Sequence, residues 1–393
     1  MDLDGLLARV IELGGSDMHL KVASPAMARV DGELIPMDER LLSDSDLETI
    51  VTLVTELTPA KREGFYTHGE LDTAYMADGL GRFRVNGFRQ RGAISFAFRF
   101  IPKEIPHFDR LGLPEGVKAL ADEHRGLVLV TGATGSGKST TLATMINSIN
   151  RSRKHHIVTI EDPIEFVHDD WGCIVNQREV GIDTDSYSEG LRRVLRQDPD
   201  VILLGELRDE ESAQAALRAA ESGHFVLSTM HTIDSAETVG RLVEFFPPGK
   251  HDMVRQVLAG VLRGVISQRL LPKASGGRVA AVEVMVNTAR IAELIREGRT
   301  DEITEAIEDG DFHKMQSFSQ HLVQLVLEGM VDEETAGHAA SNRHDFEIAV
   351  QQALRRRQAA DKAAQEAEPE QQSGEGAPEE ENEVRLRLAS SDQ

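Results

Sequence analysis

The segment Gly132-Ala133-Thr134-Gly135-Ser136-Gly137-Lys138-Ser139 constrains the fold of this chain more than any other stretch. It fits G-x-x-x-x-G-K-[ST], the phosphate-binding P-loop. A strand-like run, Leu127-Val128-Leu129-Val130, precedes it. A helix-like run, Thr140-Thr141-Leu142-Ala143-Thr144-Met145-Ile146-Asn147, follows it. That is the strand–loop–helix context the motif requires. Glycines let backbone N–H groups converge on phosphates without side-chain clash. The helix that opens near Ser139 points its positive dipole end at the same anion. Lys138 is expected to reach the β- and γ-phosphates and Ser139 to offer its hydroxyl to Mg²⁺. The nucleotide-binding set is therefore Gly132, Ala133, Thr134, Gly135, Ser136, Gly137, Lys138, Ser139 and Thr140.

With 393 residues there is room for two or three domains and a real core. The formal charge of −23 argues against a broad nucleic-acid-binding surface. A single cysteine, Cys173, rules out an internal disulfide and any four-cysteine zinc site, and suits a reducing compartment. No apolar run approaches the roughly 18–20 residues needed to span a bilayer. Met1-Asp2-Leu3-Asp4-Gly5 lacks the basic start and apolar core of a signal peptide. The expectation is a cytoplasmic chain without a transmembrane segment.

Residues 1–100 mix helical and strand signals, as a small α+β domain does. Leu3, Leu6, Leu7, Val10 and Ile11 recur at helical spacing. Met18–Lys21 and Ala28–Val30 read as short strands, with Asp31-Gly32 as a hairpin turn. Arg82–Phe88 alternates charge and hydrophobe, and Phe96, Phe98 and Phe100 repeat the alternation. Pro102, Pro106, Gly112 and Pro114 mark residues 101–114 as an interdomain linker. From 115 to 285, short β-branched runs alternate with helical stretches, which predicts parallel βαβ units. Residues 286–358 read as mostly helical. Residues 359–393 carry ten acidic against three basic residues and read as a disordered acidic tail. The hydrophobic patch Val384–Leu388 within it reads as plain disorder or a docking peptide.

Further candidate residues stand at strand ends, where P-loop proteins place their chemistry. Ile157–Ile160 runs into Glu161-Asp162-Pro163-Ile164-Glu165, three carboxylates suited to water activation and metal binding. Asp200-Val201-Ile202-Leu203-Leu204-Gly205-Glu206 is a buried apolar strand ending in an acid. Glu206 in that position suits the Mg²⁺ shell, directly or through water. Phe225–Met230 leads to His231, which suits a γ-phosphate sensor or a structural role equally well. Arg241, ten residues on, suits either stabilisation of a transferring phosphoryl group across a subunit boundary or a solvated helix face.

In combination these segments resemble the secretion-ATPase superfamily of type II secretion and type IV pili, and within it the pilus-retraction ATPases, the PilT/PilU family. Gly15–Leu20, Arg82–Asn86, the P-loop, Thr159–Phe166, Asn176–Gly181, Asp198–Asp209 and Gly223–Arg241 carry the resemblance, which covers about residues 1–350. It implies an α/β fold: a RecA-like P-loop ATPase domain preceded by a small PAS-like α+β domain, with a helical C-terminal region. It implies a homohexameric ring, ATP and Mg²⁺ as ligands, and hydrolysis coupled to pilus retraction and twitching. Implied partners are an inner-membrane pilus platform protein and a second pilus ATPase. The implied location is cytoplasmic, peripheral to the inner membrane at the pilus machine. By the same resemblance Glu165 is the catalytic glutamate that polarises water, Glu206 the Walker B acid, and His231 the His-box residue near the γ-phosphate. Arg241, Arg82 and Arg99 match positive groups around the phosphates.

Assembly ATPases commonly carry a four-cysteine zinc element, absent here, which favours retraction. Retraction ATPases usually carry Ala-Ile-Arg-Asn-Leu-Ile-Arg-Glu, whereas this chain has Ala289-Arg290-Ile291-Ala292-Glu293-Leu294-Ile295-Arg296-Glu297. A PilT-like and a PilU-like role both stay open. So do a pilus-assembly or type II secretion ATPase and a non-motor nucleotide-binding regulator.

Overall fold

A computed structural model of the chain describes the backbone of residues 1–101 and 104–367. The patch Val384–Leu388 and most of the expected acidic tail lie outside the described residues, as does Pro102 of the expected linker.

The chain opens on α1 (Leu3–Glu12) and continues through β1 (Asp17–Lys21), β2 (Met27–Val30) and β3 (Glu33–Pro36). Helices α2 (Asp44–Val54) and α3 (Pro59–His68) follow, and β4 (Glu70–Ala77), β5 (Gly81–Gln90) and β6 (Ala93–Ile101) complete a sheet. Its order is β3-β2-β1-β6-β5-β4, antiparallel throughout. The alternation read in Arg82–Phe88 is real: Phe83 and Val85 are buried while Arg84 is exposed. Phe96 and Phe98 sit in the same core with Leu7, Leu47 and Ile50. Ser43 and Asp46 form a capping box that starts α2. This α+β unit fits the PAS-like expectation.

The short α4 (Phe108–Leu111) and α5 (Glu115–Ala121) lead into the second sheet. Its elements are β7 (Gly126–Thr131), α6 (Lys138–Ser152), β8 (His156–Glu161), β9 (Ile174–Glu179), α7 (Tyr187–Val194), β10 (Val201–Leu204), α8 (Glu210–Glu221), β11 (Phe225–Met230), α9 (Ser235–Glu244), α10 (His251–Val261), β12 (Leu262–Pro272) and β13 (Arg278–Val286). Strand order is β13-β12-β7-β11-β10-β8-β9. All neighbours run parallel except β12 and β13. Parallel strands covered by helices on both faces read as near-continuous apolar runs. Accordingly every residue of β7, β10 and β11 is buried. Leu127 and Leu129 pack with α7–α10, and Val128 and Val130 pack with α5 and α6, as the two-residue period of a strand demands. The sequence predicts only parallel units here. The structure closes the sheet with an antiparallel hairpin instead.

Helices α11 (Ala289–Glu297), α12 (Ile303–Glu308), α13 (Phe318–Leu327), α14 (Glu333–Ala339) and α15 (Arg343–Ala367) finish the described chain. In α11 the front half, which departs from the common retraction pattern, still buries Ile291 and Ala292 beside Leu294 and Ile295 of the retained Leu-Ile-Arg-Glu. The last helix runs to Ala367, past the expected start of disorder at 359. Its alanines, glutamines and charged residues are strong helix formers.

Candidate nucleotide site

The P-loop lies at the C-terminal end of β7 and opens α6. Gly132 has φ +139, and a Cβ there would stand 2.4 Å from the carbonyl oxygen of Gln268, so a side chain would collide with backbone. Gly137, with φ +95, is the N-cap of α6, and no side chain caps that helix. By contrast Ser186, Asp209 and Asp234 each cap the next helix with a side-chain oxygen. The first-turn N–H groups of α6 are thus left for an anion.

A cleft of about 530 Å³ runs from Thr134 and Lys138 to Glu165, Glu206 and His231. Lys138 is nearly buried, and its Nζ donates to the carbonyls of Gly132 at 2.8 Å and Ala133 at 3.0 Å. Lost hydration lowers its pKa, while the carboxylates of Glu206 and Glu165 push it back up. All three charged groups therefore act on one space. Ser139 and Thr140 line the same cleft. Glu206 follows β10 and shares its carboxylate: Oε2 accepts from Arg208 Nε at 2.8 Å, and Oε1 stands 3.3 Å from His231 Nε2. Thr229 Oγ1 donates to the Gly205 carbonyl at 2.6 Å, fixing the turn that carries Glu206.

The acidic turn after β8 is braced from β9. Gln177 Nε2 donates to Glu161 Oε1 at 3.1 Å and to the Phe166 carbonyl at 2.8 Å, while its Oε1 accepts from His168 N at 2.8 Å. Thr159 Oγ1 donates to Glu161 at 2.6 Å. Burial raises the pKa of Glu161, with Glu165 repelling its charge further. Glu161 is thus held inside the brace and Glu165 is left exposed at the cleft. Sequence alone gives Gln177, His168 and Arg208 no role, although Arg208 falls in the Asp198–Asp209 stretch. Gln177 stands in the Asn176–Gly181 stretch quoted above, and that was the available signal.

His168 lines the cleft, and burial lowers its pKa to about 4. A group neutral in the fold and protonated in the unfolded chain withdraws stability as pH falls from 6.5 towards 4. The expected result is that His168→Gln flattens the decline in melting temperature over that window. His321, whose pKa burial also lowers, leaves a residual slope. A wild-type slope in the variant counts against the assignment.

Three expected residues are not brought into the cleft of a single chain. Arg82, on β5, forms a buried ion pair with Glu179 at the end of β9. Glu179 also accepts from Ile164 N at 3.1 Å, next to Glu165 in sequence. Arg99, on β6, donates to Asp17 across the strand pair at 2.8 Å and is mostly exposed. Arg241, on α9, faces out with Glu244 at 3.4 Å and the Phe245 ring at 5.7 Å. In each case a nearby carboxylate satisfies the charge.

A model of the type II/IV secretion system protein family matches residues 97–276. The type IV pilus retraction ATPase PilT of Pseudomonas aeruginosa is 44% identical over 346 residues, covering 88% of this chain and 100% of PilT. The chain belongs to the PilT/PilU family of type II/IV secretion ATPases. The type IV pilus ATPase PilU of the same organism is 39% identical, over 89% of this chain and 91% of its own. A crystal structure of the pilus retraction motor PilT with bound ADP superposes with a TM-score of 0.82 at 42% identity, covering 88% of this chain and 99% of that one. Membership in the PilT/PilU family makes the chain a nucleotide-binding ATPase. No helix among the described residues is long and apolar enough to cross a membrane.

Proposed function

We propose that this chain is the motor ATPase of type IV pilus retraction, working as a homohexameric ring at the cytoplasmic face of the inner membrane against the pilus platform protein. The observation that carries the reading is the convergence of Lys138, Glu165, Glu206 and His231 on one cleft beside an uncapped helix N-terminus. Phosphoryl transfer asks little covalent chemistry of a protein, so positioning and charge neutralisation supply the rate. The first-turn N–H groups of α6 and Lys138 hold the phosphates, with the ammonium exchanging its two carbonyl partners for phosphate oxygens. Glu165 orients the attacking water and accepts its proton. His231 reports on the γ-phosphate position through its contact with Glu206.

The donors fit Mg²⁺. Ser139 and Glu206 offer hydroxyl and carboxylate oxygens, the hard ligands this ion prefers. Among the described residues no group of three or more His, Cys, Asp or Glu forms a metal cage. That suits an ion held largely by water and substrate phosphates. Bound there, Mg²⁺ neutralises charge on the triphosphate. In the ring, Arg241 and Arg99 exchange their partners Glu244 and Asp17 for the nucleotide of a neighbouring subunit, and the interdomain linker serves as the hinge. A pilus-assembly ATPase is the second reading, disfavoured by the absence of a four-cysteine element.

Deletion in the native host tests the reading. Excess surface pili with lost twitching is the expected outcome, and absent pili would place the chain in assembly instead.

A further inference from the structure

We propose that Glu283 is a positioning residue that ties the loop carrying His231 to the C-terminal helices, coupling the cleft to movements of α13 and α14. The proposal rests on the ATPase reading above.

Glu283 stands in the middle of β13 and is 4% exposed, in a strand otherwise apolar from Val279 to Val286. Burial pushes its pKa up, and backbone donors push it back. Its Oε1 accepts from Ser235 N at 2.8 Å, the first residue of α9. The backbone N–H of Phe318, the first residue of α13, also favours its charged form. Glu283 thus ties the opening of α9 to β13, and the next residue of β13, Val284, is paired with Gln316 just ahead of α13. Neither helix needs it as a local cap. Asp234 already accepts from Glu237 N at 2.8 Å, and Ser317 from Gln320 N at 3.3 Å. What Glu283 adds is the link between them.

On the cleft side, the loop from His231 to Ser235 has little freedom. Thr232 Oγ1 and Thr238 Oγ1 are 2.6 Å apart, and Ile233 N donates to Glu237 at 2.9 Å. A displacement of His231 therefore reaches Ser235. On the other side, Val284 and Gln316 exchange backbone bonds of 2.9 and 3.1 Å, and Val282 N donates to His321 Nδ1 at 2.9 Å. Arg269, on β12, stacks on the Phe318 ring at 4.2 Å and donates to the Ala339 carbonyl at the end of α14. Glu283 and Asp234 both favour its charge. Helices α13 and α14 rest on the same charged cluster that holds the His231 loop.

The test is steady-state ATPase kinetics on the full chain. Glu283→Ala is expected to lower kcat about tenfold with KM for ATP changed by less than about twofold. In a His231→Ala background the same change should cost nothing further, because residues acting as one unit are not additive. Ser235→Pro removes the same N–H from the opposite side, proline being tolerated at the first helical position, and should reproduce the defect. Glu283→Gln, which keeps an acceptor oxygen for Ser235, is expected to stay within about threefold of the wild-type kcat. If Glu283→Ala melts below the assay temperature, Ser235→Pro carries the comparison. Wild-type kcat in Ser235→Pro, full multiplication of the Glu283→Ala and His231→Ala losses, or a glutamine variant as slow as the alanine one overturns the proposal. Wild-type turnover in Glu165→Gln would sink the site assignment instead.

Discussion

Lys138→Ala is expected to weaken ATP binding by about a hundredfold, equivalent to about 2.7 kcal/mol. The ammonium reaches into the mouth of the P-loop, within the influence of both Glu165 and Glu206. Without it, the phosphates lose the ammonium that offsets these two carboxylates beside the loop. The lost hydrogen bonds to Gly132 and Ala133 add a second effect, since the loop no longer holds itself in shape. Titration calorimetry with a non-hydrolysable ATP analogue measures the change. A dissociation constant equal to wild type's removes Lys138 from the site.

Glu165→Gln is expected to reduce kcat by about a thousandfold, within the usual range for losing a general base, while ATP still binds. The substitution keeps shape and removes the charge that, in the role proposed above, draws a proton from water. Glu161 is no substitute. It is enclosed by Thr159 and Gln177, and burial raises its pKa, so it is committed to bracing the turn. The measurement is a phosphate-release assay beside a nucleotide-binding assay on the same preparation. Retained turnover in this variant, with binding intact, would assign the base elsewhere.

The parts of the site legible in the sequence are those whose meaning is local. The P-loop, the acid at the end of β10 and the acidic turn after β8 each declare themselves within a dozen residues, because strand, loop and helix signals adjoin them. What the sequence hides is non-local. Gln177 braces Glu161 only because β9 lies parallel to β8 with Thr159 beside Gln177. The hairpin β12–β13 is hidden because α10 ends at Val261 and β12 begins at Leu262, with no turn residue between them. An arginine's partner is invisible in one dimension. Arg82, Arg99 and Arg241 are expected around the phosphates, yet each meets a carboxylate in the folded chain. Helix α15 ran past its expected end because alanine- and glutamine-rich texture serves helices and low-complexity tails equally.

The Arg82–Glu179 pair has a mechanical corollary. Glu179 is 3% exposed, and the Oε2 that meets Arg82 also accepts from Ile164 N, in the turn that presents Glu165. Breaking a pair so buried, with nothing to replace the lost charge, costs about 3–5 kcal/mol. With a penalty of that size the N-terminal sheet is clasped to that turn in all but a small fraction of molecules. It either travels with the turn or releases it when another anion or cation takes over one half of the pair. A clasp of this kind is either held or released, and it bears directly on the turn from which Glu165 reaches the cleft.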